Sequence, residues 1–562
     1  MADTTTAPVD HLPDESGRMT HRQIMLILSG LLLGMFLAAL DQTIVSAAMR
    51  TIADKLHGQT NQAWATTAYL VTSTVSTPLY GKLSDMYGRK KFYLFAISIF
   101  LVGSVLSGMS TSMIELAGFR AIQGLGAGGL MALAFAIIAD VVSPRERAKY
   151  QGYFMAVFGL SSVAGPVLGG LLAGQNTLLG FDGWRWVFYV NVPIGIIALA
   201  VVSKFLNIPH VRKDHKVDYL GAATLVLGVT SLLLVAEQGR DWGWGSSKSL
   251  TAYVVGALLI VAFVLIERRV GDEAILPLKM FRSPVFSVAS MLSFIIGMGM
   301  FGGIICLPLY MQIVKGYSPT KSGLSLLPLM LGLILVAMSS GIATSKTGRY
   351  KMFPIVGTAL LIIALTGLSR ISYTTTYSHL APLMFLVGAG LGCCMQTLVL
   401  ATQNSVPASQ MGVATASATF FRSMGGTFGT AVFLTIFFSG ATSKVGANVQ
   451  AASQTPDFQA ALRDPANGVI AKALAAMRNG STSQLNDTSF LQHGAKVLRE
   501  PFLSGFAGAM DRVFLVAAIV VVPAFVLSFF LKEVKLRTES GLQAQAAERA
   551  AELARAEAAS TV

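Results

Sequence analysis

An acidic and a basic residue lie inside two long apolar stretches of this sequence, where charged side chains are rare. Asp41 stands deep in the first stretch, and Arg120 lies near one end of the fourth. A carboxylate in the hydrocarbon costs about 2.5 to 3.5 kcal/mol unless it is protonated, paired or facing water. Both groups belong to the same half of the membrane thickness, so they could pair, and the acid could take up and release a proton. The alternative is an ion pair that only holds helices together.

A second group of charges lies in loops that follow the apolar stretches. Asp85 and Arg89 are four residues apart after the second stretch, and Asp140 ends the fourth. We expect a helix N-terminus or an arginine near Asp85, and Asp140 near Arg89, so that these groups latch together the ends of two helical bundles. The alternative is a basic loop that only sets the topology, but such a loop would require neither the acid nor Gly81 and Gly88.

The C-terminal part of the sequence is poor in acids. From Ala274 to Pro456 there is no Asp or Glu, so a proton carried within the membrane has to be carried by the N-terminal half. This part instead places Arg422 inside the thirteenth apolar stretch. A structural role and a contact with substrate are both open for this arginine.

The composition places the chain in a lipid bilayer. Hydrophobic residues make up 53% of it and charged residues 12%, a balance unlike that of a soluble fold of 562 residues. The net charge of +14 is spread over many short loops rather than along one stripe, which argues against a nucleic-acid partner. No metal-ligand cluster, nucleophile motif or phosphate-binding loop stands out, so we expect no enzyme, no cofactor and no ATP-driven pump.

Stretches of about 20 apolar residues predict fourteen membrane-spanning helices. The predicted limits are 23–45, 63–80, 92–110, 113–139, 150–173, 186–205, 218–236, 250–266, 285–310, 322–341, 352–370, 380–401, 412–439 and 511–531. Lysines and arginines accumulate in alternate loops, which predicts that both termini are cytoplasmic.

The sequence also repeats itself at a distance of 260 residues. Gly81, Gly88, Arg89 and Lys91 recur as Gly341, Gly348, Arg349 and Lys351. Spans one to six therefore pair with spans nine to fourteen, and spans seven and eight form an insert. The predicted parts are a cytoplasmic tail (1–22), a six-helix bundle (23–205), two linker helices (206–284), a second six-helix bundle (285–531) with an extracellular loop at 439–509 that carries a small helical hairpin, and a second cytoplasmic tail (532–562).

Three groups of motifs connect the chain to a known family. The loop from Gly81 to Lys91, with Arg145–Glu146–Arg147 in the next loop on the same side, resembles the loop signature of the major facilitator superfamily. The small and bending residues of the fifth span resemble the signature of its drug-exporting antiporters: Gly159, Gly165, Pro166, Gly169 and Gly170. The third group resembles the fourteen-span drug:proton antiporters: Leu40–Val45, Trp184–Trp186 and Asn191–Gly195.

This resemblance implies an all-α polytopic membrane protein of the major facilitator fold with 14 transmembrane helices. It implies that Asp41 is the coupling acid and that the stretch from Arg120 to Gly124 is the family's basic motif, in which Gln123 contacts substrate or packs. Glu115, near the outer end of the same helix, is a third coupling candidate. The fifth helix would be bent and would limit leak, although ordinary close packing also uses such small residues.

The sequence thus predicts a proton-coupled multidrug exporter that works by alternating access in the plasma (inner) membrane. Its expected partners are an amphipathic compound, cationic or neutral, together with protons and membrane lipids, and the expected state is a monomer. One alternative is an exporter of a native metabolite or lipid, for which Arg422 would suit an anionic headgroup. A second alternative is a sensor or scaffold that uses the same fold without transporting anything.

Overall fold

The helices of this protein follow the apolar stretches of its sequence. The computed structural model describes residues 19–57, 62–208, 218–407, 410–478, 494–537, 539–544 and 546–547. Within these ranges the regular structure is helical, apart from one short hairpin. In that hairpin, β1 (Thr177–Leu178) pairs antiparallel with β2 (Phe181–Asp182).

The N-terminal helices begin where the sequence supplies caps. At the start of the first helix the side chain of Thr20 accepts a hydrogen bond from the backbone N–H of Gln23, whose own side chain reaches back. Ser143 caps the fifth helix in front of Pro144. The helices are α1 (His21–Lys55), α2 (Gln62–Tyr87), α3 (Arg89–Met109), α4 (Met113–Val141), α5 (Pro144–Ala173), α6 (Trp186–Tyr189) and α7 (Asn191–Phe205).

The remaining helices form an inserted pair and a C-terminal set. The predicted tenth span is divided at Leu326 into two helices. The bounds are α8 (Tyr219–Trp242), α9 (Ser247–Val270), α10 (Pro284–Ile313), α11 (Pro319–Ser325), α12 (Leu327–Thr347), α13 (Met352–Leu368), α14 (Tyr377–Asn404), α15 (Met411–Ala452), α16 (Pro456–Arg463), α17 (Gly468–Arg478) and α18 (Lys496–Phe530).

Most of these helices have the length and composition of membrane spans. In the described residues, 11 helical segments are long and apolar enough to cross, and two shorter ones, Pro284–Met300 and Met352–Leu368, are apolar as well. The more polar α2 satisfies hydroxyl groups on its own backbone, as Thr72 does on the carbonyl of Ala68 at 2.8 Å. A count of fourteen spans fits these helices and remains a prediction.

The helices pack in the same pairs in both halves. α1 contacts α5 and α7, α2 contacts α4, and α3 contacts α4 and α7. In the same way α10 contacts α15 and α18, α12 contacts α14, and α13 contacts α14 and α18. The halves meet where α5 packs on α12 and α15 packs on α2, while the inserted α8 pairs with α9 and also contacts α2 and α15.

The segment between the last two predicted spans is more helical than its polar composition suggested. α15 continues to Ala452 and α18 begins at Lys496, so both helices reach into the predicted extracellular loop 439–509. The extended helices contact each other, since Asn448 donates to the hydroxyl of Ser504 at 2.9 Å. Because these contacts are tertiary, the local sequence gave little indication of them.

The predicted hairpin of this segment corresponds to α16 and α17. Thr455 stands at the N-cap of α16, and Phe458 and Ile470 are buried beneath the two helices. The predicted end of the second helix at 479–480 lies outside the described residues.

The chain beyond α18 packs on the side of the molecule that carries the Lys/Arg-rich loops, which we call the inner side. Asn404 donates to the carbonyl of Lys535 at 3.2 Å, and the guanidinium of Arg537 donates to the carbonyl of Val406 at 2.7 Å. Leu542 is buried. The helix predicted around Glu548, Glu552 and Arg555 lies outside the described residues.

Candidate functional site

Asp41 is the centre of a buried polar network in the N-terminal half. Its side chain on α1 is 0% exposed. One carboxylate oxygen, Oδ2, accepts from Arg120 Nη1 at 2.5 Å, and the other, Oδ1, accepts from Gln123 Nε2 at 2.8 Å and Asn191 Nδ2 at 2.9 Å. These donors come from α4 and α7. A buried charge is tolerated when it is paired and hydrogen-bonded in this way, so the network suits the ionised form of the acid.

The guanidinium of Arg120 has partners besides the acid. Gln123, one turn along α4, accepts from Nη1 at 2.8 Å through its side-chain oxygen. The ring of Tyr69 on α2 lies 4.0 Å from the guanidinium carbon. These two contacts would persist if Asp41 became neutral, because neither depends on its charge.

Asn191 connects the network to α3. Its Nδ2 atom also donates to the hydroxyl of Ser104 at 3.0 Å, and that hydroxyl donates to the carbonyl of Phe188 at 2.9 Å. Sequence reasoning quoted Asn191 only as part of a motif and did not predict its contact with Asp41, nor that of Tyr69 with the arginine. The one indication in the sequence was that Asn191 is a polar residue in an apolar stretch.

Glu115, the third predicted coupling residue, lies apart from this network. It is exposed at the start of α4, where its carboxylate accepts from the backbone N–H and the hydroxyl of Thr111, both at 2.8 Å. The carboxylate therefore stabilises the local turn at the helix start. The structure brings Asp41, Arg120 and Gln123 together and leaves Glu115 out.

The glycines of α5 bring this helix close to the helix that carries the acid. A Cβ atom at Gly165 would lie 2.1 Å from the hydroxyl of Thr43 on α1, and one at Gly169 would lie 2.8 Å from the carbonyl of Ile44. The Thr43 hydroxyl donates to the carbonyl of Ser161 at 2.9 Å. A larger residue at either glycine would push α5 away from α1.

The same helix also contacts the C-terminal half. A Cβ atom at Gly159 would lie 2.8 Å from the side chain of Ile334 on α12. Near α11, a Cβ atom at Gly170 would lie 3.6 Å from the hydroxyl of Thr320, and Pro166 lies inside α5 facing Gly323. α5 thus contacts the acid-bearing helix on one side and the opposite half on the other.

A cavity lies between the two halves beside the polar network. It spans about 850 Å³ of space between protein atoms, part of which is open to solvent. Helices α1, α2, α4 and α5 form one wall, and α10, α14 and α15 form the other. Its apolar lining consists largely of flexible or aromatic side chains, which can adapt to ligands of different shape: Met131, Met155, Met300, Met395, Phe135 and Phe158.

Four polar side chains of the cavity wall have no hydrogen-bond partner within the described ranges. They are Gln42 on α1, Thr74 on α2, and Arg422 and Ser423 on α15, and Arg422 is the single charged side chain of the described lining. The cavity is connected with the acid in two ways. Gln42 follows Asp41 in the chain, and the lining residue Tyr69 lies against Arg120.

A second charged cluster joins the halves at the inner side. Arg89 Nε donates to Asp140 Oδ2 at 2.7 Å and also pairs with Asp85. The Oδ2 atom of Asp85 accepts from the backbone N–H of Val413 at 3.0 Å. Because Gln410 provides no side-chain cap for α15, the acid from α2 caps that helix across the interface.

Gly81 and Gly88, which were predicted with this cluster, are each required for a different steric reason. A Cβ atom at Gly81 would lie 2.4 Å from the Cβ of Ala416, so glycine permits the close contact of α2 with α15. Gly88 has φ +104°, a left-handed conformation that side chains with a Cβ rarely adopt.

Sequence reasoning missed two further contacts across the inner interface. Arg147 is fully buried and donates to the side chain of Gln403 on α14, and Arg145 Nε donates to the carbonyl of Ser345 at 2.7 Å. Both arginines were quoted in the loop motif, but nothing in the sequence identified Gln403 as a partner.

Comparisons with known proteins agree with this architecture. The family model described as Major Facilitator Superfamily matches residues 31–430. The chain is 33% identical over 534 residues to the multidrug transporter protein MdtP of Bacillus subtilis (strain 168), covering 94% of this chain and 96% of that protein. It is 32% identical over 523 residues to multidrug resistance protein 3 of the same organism, covering 92% and 97%.

Solved structures show a similar fold at low sequence identity. One is the proton:xylose symporter XylE bound to a deoxyglucose derivative, with a TM-score of 0.57, 14% identity, and coverage of 94% of this chain and 99% of that one. Another is a bacterial homologue of the human lysosomal transporter Spinster in an inward-facing conformation, with a TM-score of 0.57, 15% identity, and coverage of 91% and 98%.

Proposed function

The chain belongs to the major facilitator superfamily of membrane transporters, and we propose that it is a proton-coupled exporter of amphipathic compounds. The observation that carries the proposal is the network around Asp41, a buried carboxylate that contacts three donors and lies beside the central cavity. The relatives named as multidrug transporters support export of foreign compounds.

The proposed cycle uses the acid as the proton carrier. When the cavity faces inward, Asp41 is ionised and paired with Arg120, and the substrate enters. When the cavity faces outward, a proton neutralises Asp41 and the substrate leaves. Each proton that returns contributes about 2.3 kcal/mol per 100 mV of membrane potential and about 1.4 kcal/mol per pH unit.

The proton and the substrate would compete through Tyr69 and Gln42. Tyr69 contacts Arg120 on one face and lines the cavity, so a ligand that displaces the ring also disturbs the partner of Asp41. Gln42 lines the cavity next to the acid in sequence. This arrangement supports coupling without direct contact between substrate and carboxylate.

Alternating access would require the inner cluster to open. The contact of Asp85 with Val413 holds the inner ends of the halves together, and Arg89 positions that carboxylate by pairing with Asp85 and Asp140 inside the N-terminal half. In the proposed cycle the contact between Asp85 and α15 forms while the carrier faces outward and separates while it faces inward. We further propose a monomer in the plasma (inner) membrane with both termini in the cytoplasm.

The test is proton-driven transport by the purified protein in liposomes. With N-phenylnaphthylamine, a neutral amphipathic probe, we expect efflux to follow an imposed pH gradient in the wild type. We expect Asp41→Asn to abolish the response, because a carboxamide cannot exchange a proton. Glu115→Gln is the matched control, since that acid lies outside the network. Unchanged gradient-driven efflux in Asp41→Asn would disprove the proposed coupling.

A second candidate is export of a native metabolite or lipid. It is favoured by Arg422, a cation in the cavity wall that a hydrophobic drug would not require. Metabolite profiling of a deletion strain separates the two, because a pure drug exporter should leave native pools undisturbed.

A further inference from the structure

We infer that Arg422 is the recognition site for an acidic group, so that this transporter binds amphipathic anions at the cavity wall of its C-terminal half. The inference rests on the proposed export function and specifies its substrate class. The observation is an arginine on α15 that lines the cavity and has no ion-pair or hydrogen-bond partner among the residues that the structure describes.

The protein offers this arginine no acid of its own. The sequence from Ala274 to Pro456 contains no Asp or Glu, and the described cavity lining contains none either. The buried acid of the other half, Asp41, is already paired with Arg120. A cation that is removed from bulk water without a partner is costly, and an anionic ligand would supply the missing charge.

Helix packing does not explain why position 422 is an arginine. α15 is positioned against α10 through backbone contacts. A Cβ atom at Gly297 would lie 2.2 Å from the carbonyl oxygen of Arg422, and one at Gly425 would lie 2.0 Å from the carbonyl of Phe294. Because the backbone makes this contact, an apolar side chain at position 422 would serve packing equally well.

The cavity chemistry defines the ligand further. A guanidinium binds carboxylate, sulfonate and phosphate groups through two parallel hydrogen bonds. On the opposite wall the unpaired amide of Gln42 offers a further hydrogen-bond donor. The methionine and phenylalanine side chains of the lining accommodate an apolar body. The expected ligand is therefore a drug-sized molecule with one acidic group and an aromatic or aliphatic body.

An anionic substrate changes the energetics of the exchange. If one proton enters for each anion that leaves, two positive charges move inward, whereas a neutral substrate moves one and a monovalent cation moves none. A potential of 100 mV therefore changes the limiting gradient about 50-fold for each charge moved. The dependence on potential reports the charge of the transported species directly.

The first experiment measures equilibrium binding to the full chain in nanodiscs. Two probes share one aromatic body: anilinonaphthalene sulfonate, and N-phenylnaphthylamine, which lacks the sulfonate. We expect Arg422→Gln to weaken sulfonate binding at least about tenfold, to change binding of the neutral probe less than about twofold, and Arg422→Lys to be intermediate. Arg370→Gln, which removes an exposed cation from the same half, is the control and should match the wild type.

Retained binding of the neutral probe shows that a variant is folded. Equal sulfonate affinity in the wild type and Arg422→Gln overturns the inference, as does tighter binding of the cation ethidium than of the sulfonate.

The second experiment imposes a potassium-diffusion potential on liposomes at equal pH. We expect the potential to drive the sulfonate more strongly than the neutral probe, and to leave ethidium exchange unaffected. A rate of sulfonate transport that does not depend on the potential overturns the inference. If the sulfonate binds through Arg422 but no probe responds to a pH gradient or a potential, the export function fails while the anion site stands.

Discussion

The two halves of this transporter share one pattern of helix contacts but distribute charged side chains unequally. At the 260-residue spacing of the repeat, the N-terminal residues Asp41, Arg120 and Gln123 correspond to Phe301, Leu380 and Leu383. Conversely, Arg422 corresponds to Ser162. The N-terminal half pairs its buried charges internally, and the C-terminal half leaves its arginine facing the cavity. Helix packing constrains shape, so the few polar positions can diverge in function.

The inner side shows the same inequality. α15 receives its N-terminal cap from Asp85 of the opposite half, whereas the corresponding helix, α5, is capped by its own Ser143. The residue that corresponds to Asp85 is Ser345, which contributes a backbone carbonyl to Arg145 instead. The carboxylate of Asp85 thus binds the N-terminus of α15, whereas the guanidinium of Arg145 binds a carbonyl near the C-terminus of α12.

The largest expected effect compares Arg120, which is buried, with Arg422, which is partly exposed at the cavity wall. Arg120→Met leaves the carboxylate of Asp41 buried without its ion-pair partner, and we expect a loss of about 3–5 kcal/mol in the free energy of unfolding. Arg422→Met removes a cation that no described residue pairs, so we expect no loss of stability and a gain of at most about 1 kcal/mol. The measurement is denaturant unfolding of both variants in the same detergent.

The double variant Asp41→Asn, Arg120→Met provides the control for that comparison. It should recover much of the lost stability, because the uncompensated carboxylate is gone. Equal losses for Arg120→Met and Arg422→Met would mean that the two arginines do not differ as the structure indicates.

The next effect compares Asp85 with Ser345. Asp85→Asn removes the charge that pairs with Arg89 and caps α15, so we expect the closed inner side to be weakened by about 1–3 kcal/mol. Ser345→Ala should change it by less than about 0.5 kcal/mol, because only the backbone of that residue is engaged. Distances between spin labels on the inner ends of α2 and α15 would measure the opening. A larger opening in Ser345→Ala than in Asp85→Asn would show that the Ser345 contact, and not the Asp85 contact, stabilises the closed inner side.

A smaller effect concerns Asn191, which distinguishes the acid network from a simple ion pair. Asn191→Ala removes one of the donors to Asp41 and leaves the buried carboxylate with the other two. We expect a loss of about 1.5 kcal/mol in the free energy of unfolding, less than for Arg120→Met because the ion-pair partner remains. Ser104→Ala, which removes an acceptor of Asn191 and a donor to the carbonyl of Phe188, should cost less. Equal stability of Asn191→Ala and the wild type would show that the amide does not stabilise the buried acid.

Much of the fold could be predicted because it follows from apolar length and repetition. The repeat of Gly81 to Lys91 predicted two like halves, and the resemblance of that loop predicted the major facilitator fold, which the family match confirms. The extension of α15 to Ala452 was missed because tertiary contacts with α18 stabilise a stretch of polar composition.

The candidate site was predictable only where a charge stood in an apolar stretch. Asp41 and Arg120 were identified in this way, and the structure places them in contact. Asn191, Tyr69 and Gln403 could not be identified, because uncharged polar residues are common in membrane helices. Their partners are distant in the sequence, so only the three-dimensional structure selects them.

The smallest expected effect lies outside the membrane, where the C-terminal half does use a carboxylate. Tyr373, between α13 and α14, donates a hydrogen bond to Glu500 of α18, and this bond raises the pKa of the tyrosine above its usual value, with burial as a second cause. A raised pKa in the folded state means that the bond stabilises the fold fully below the ordinary tyrosine pKa of about 10, and that this stabilisation is lost as the pH rises through the raised value. In thermal melts, the wild type should therefore lose a small advantage over Tyr373→Phe at high pH. A wild-type advantage that is constant across the alkaline range would show that the contact with Glu500 does not depend on the tyrosine proton. The carboxylate contact of this half would then be less sensitive to protonation than that of Asp41.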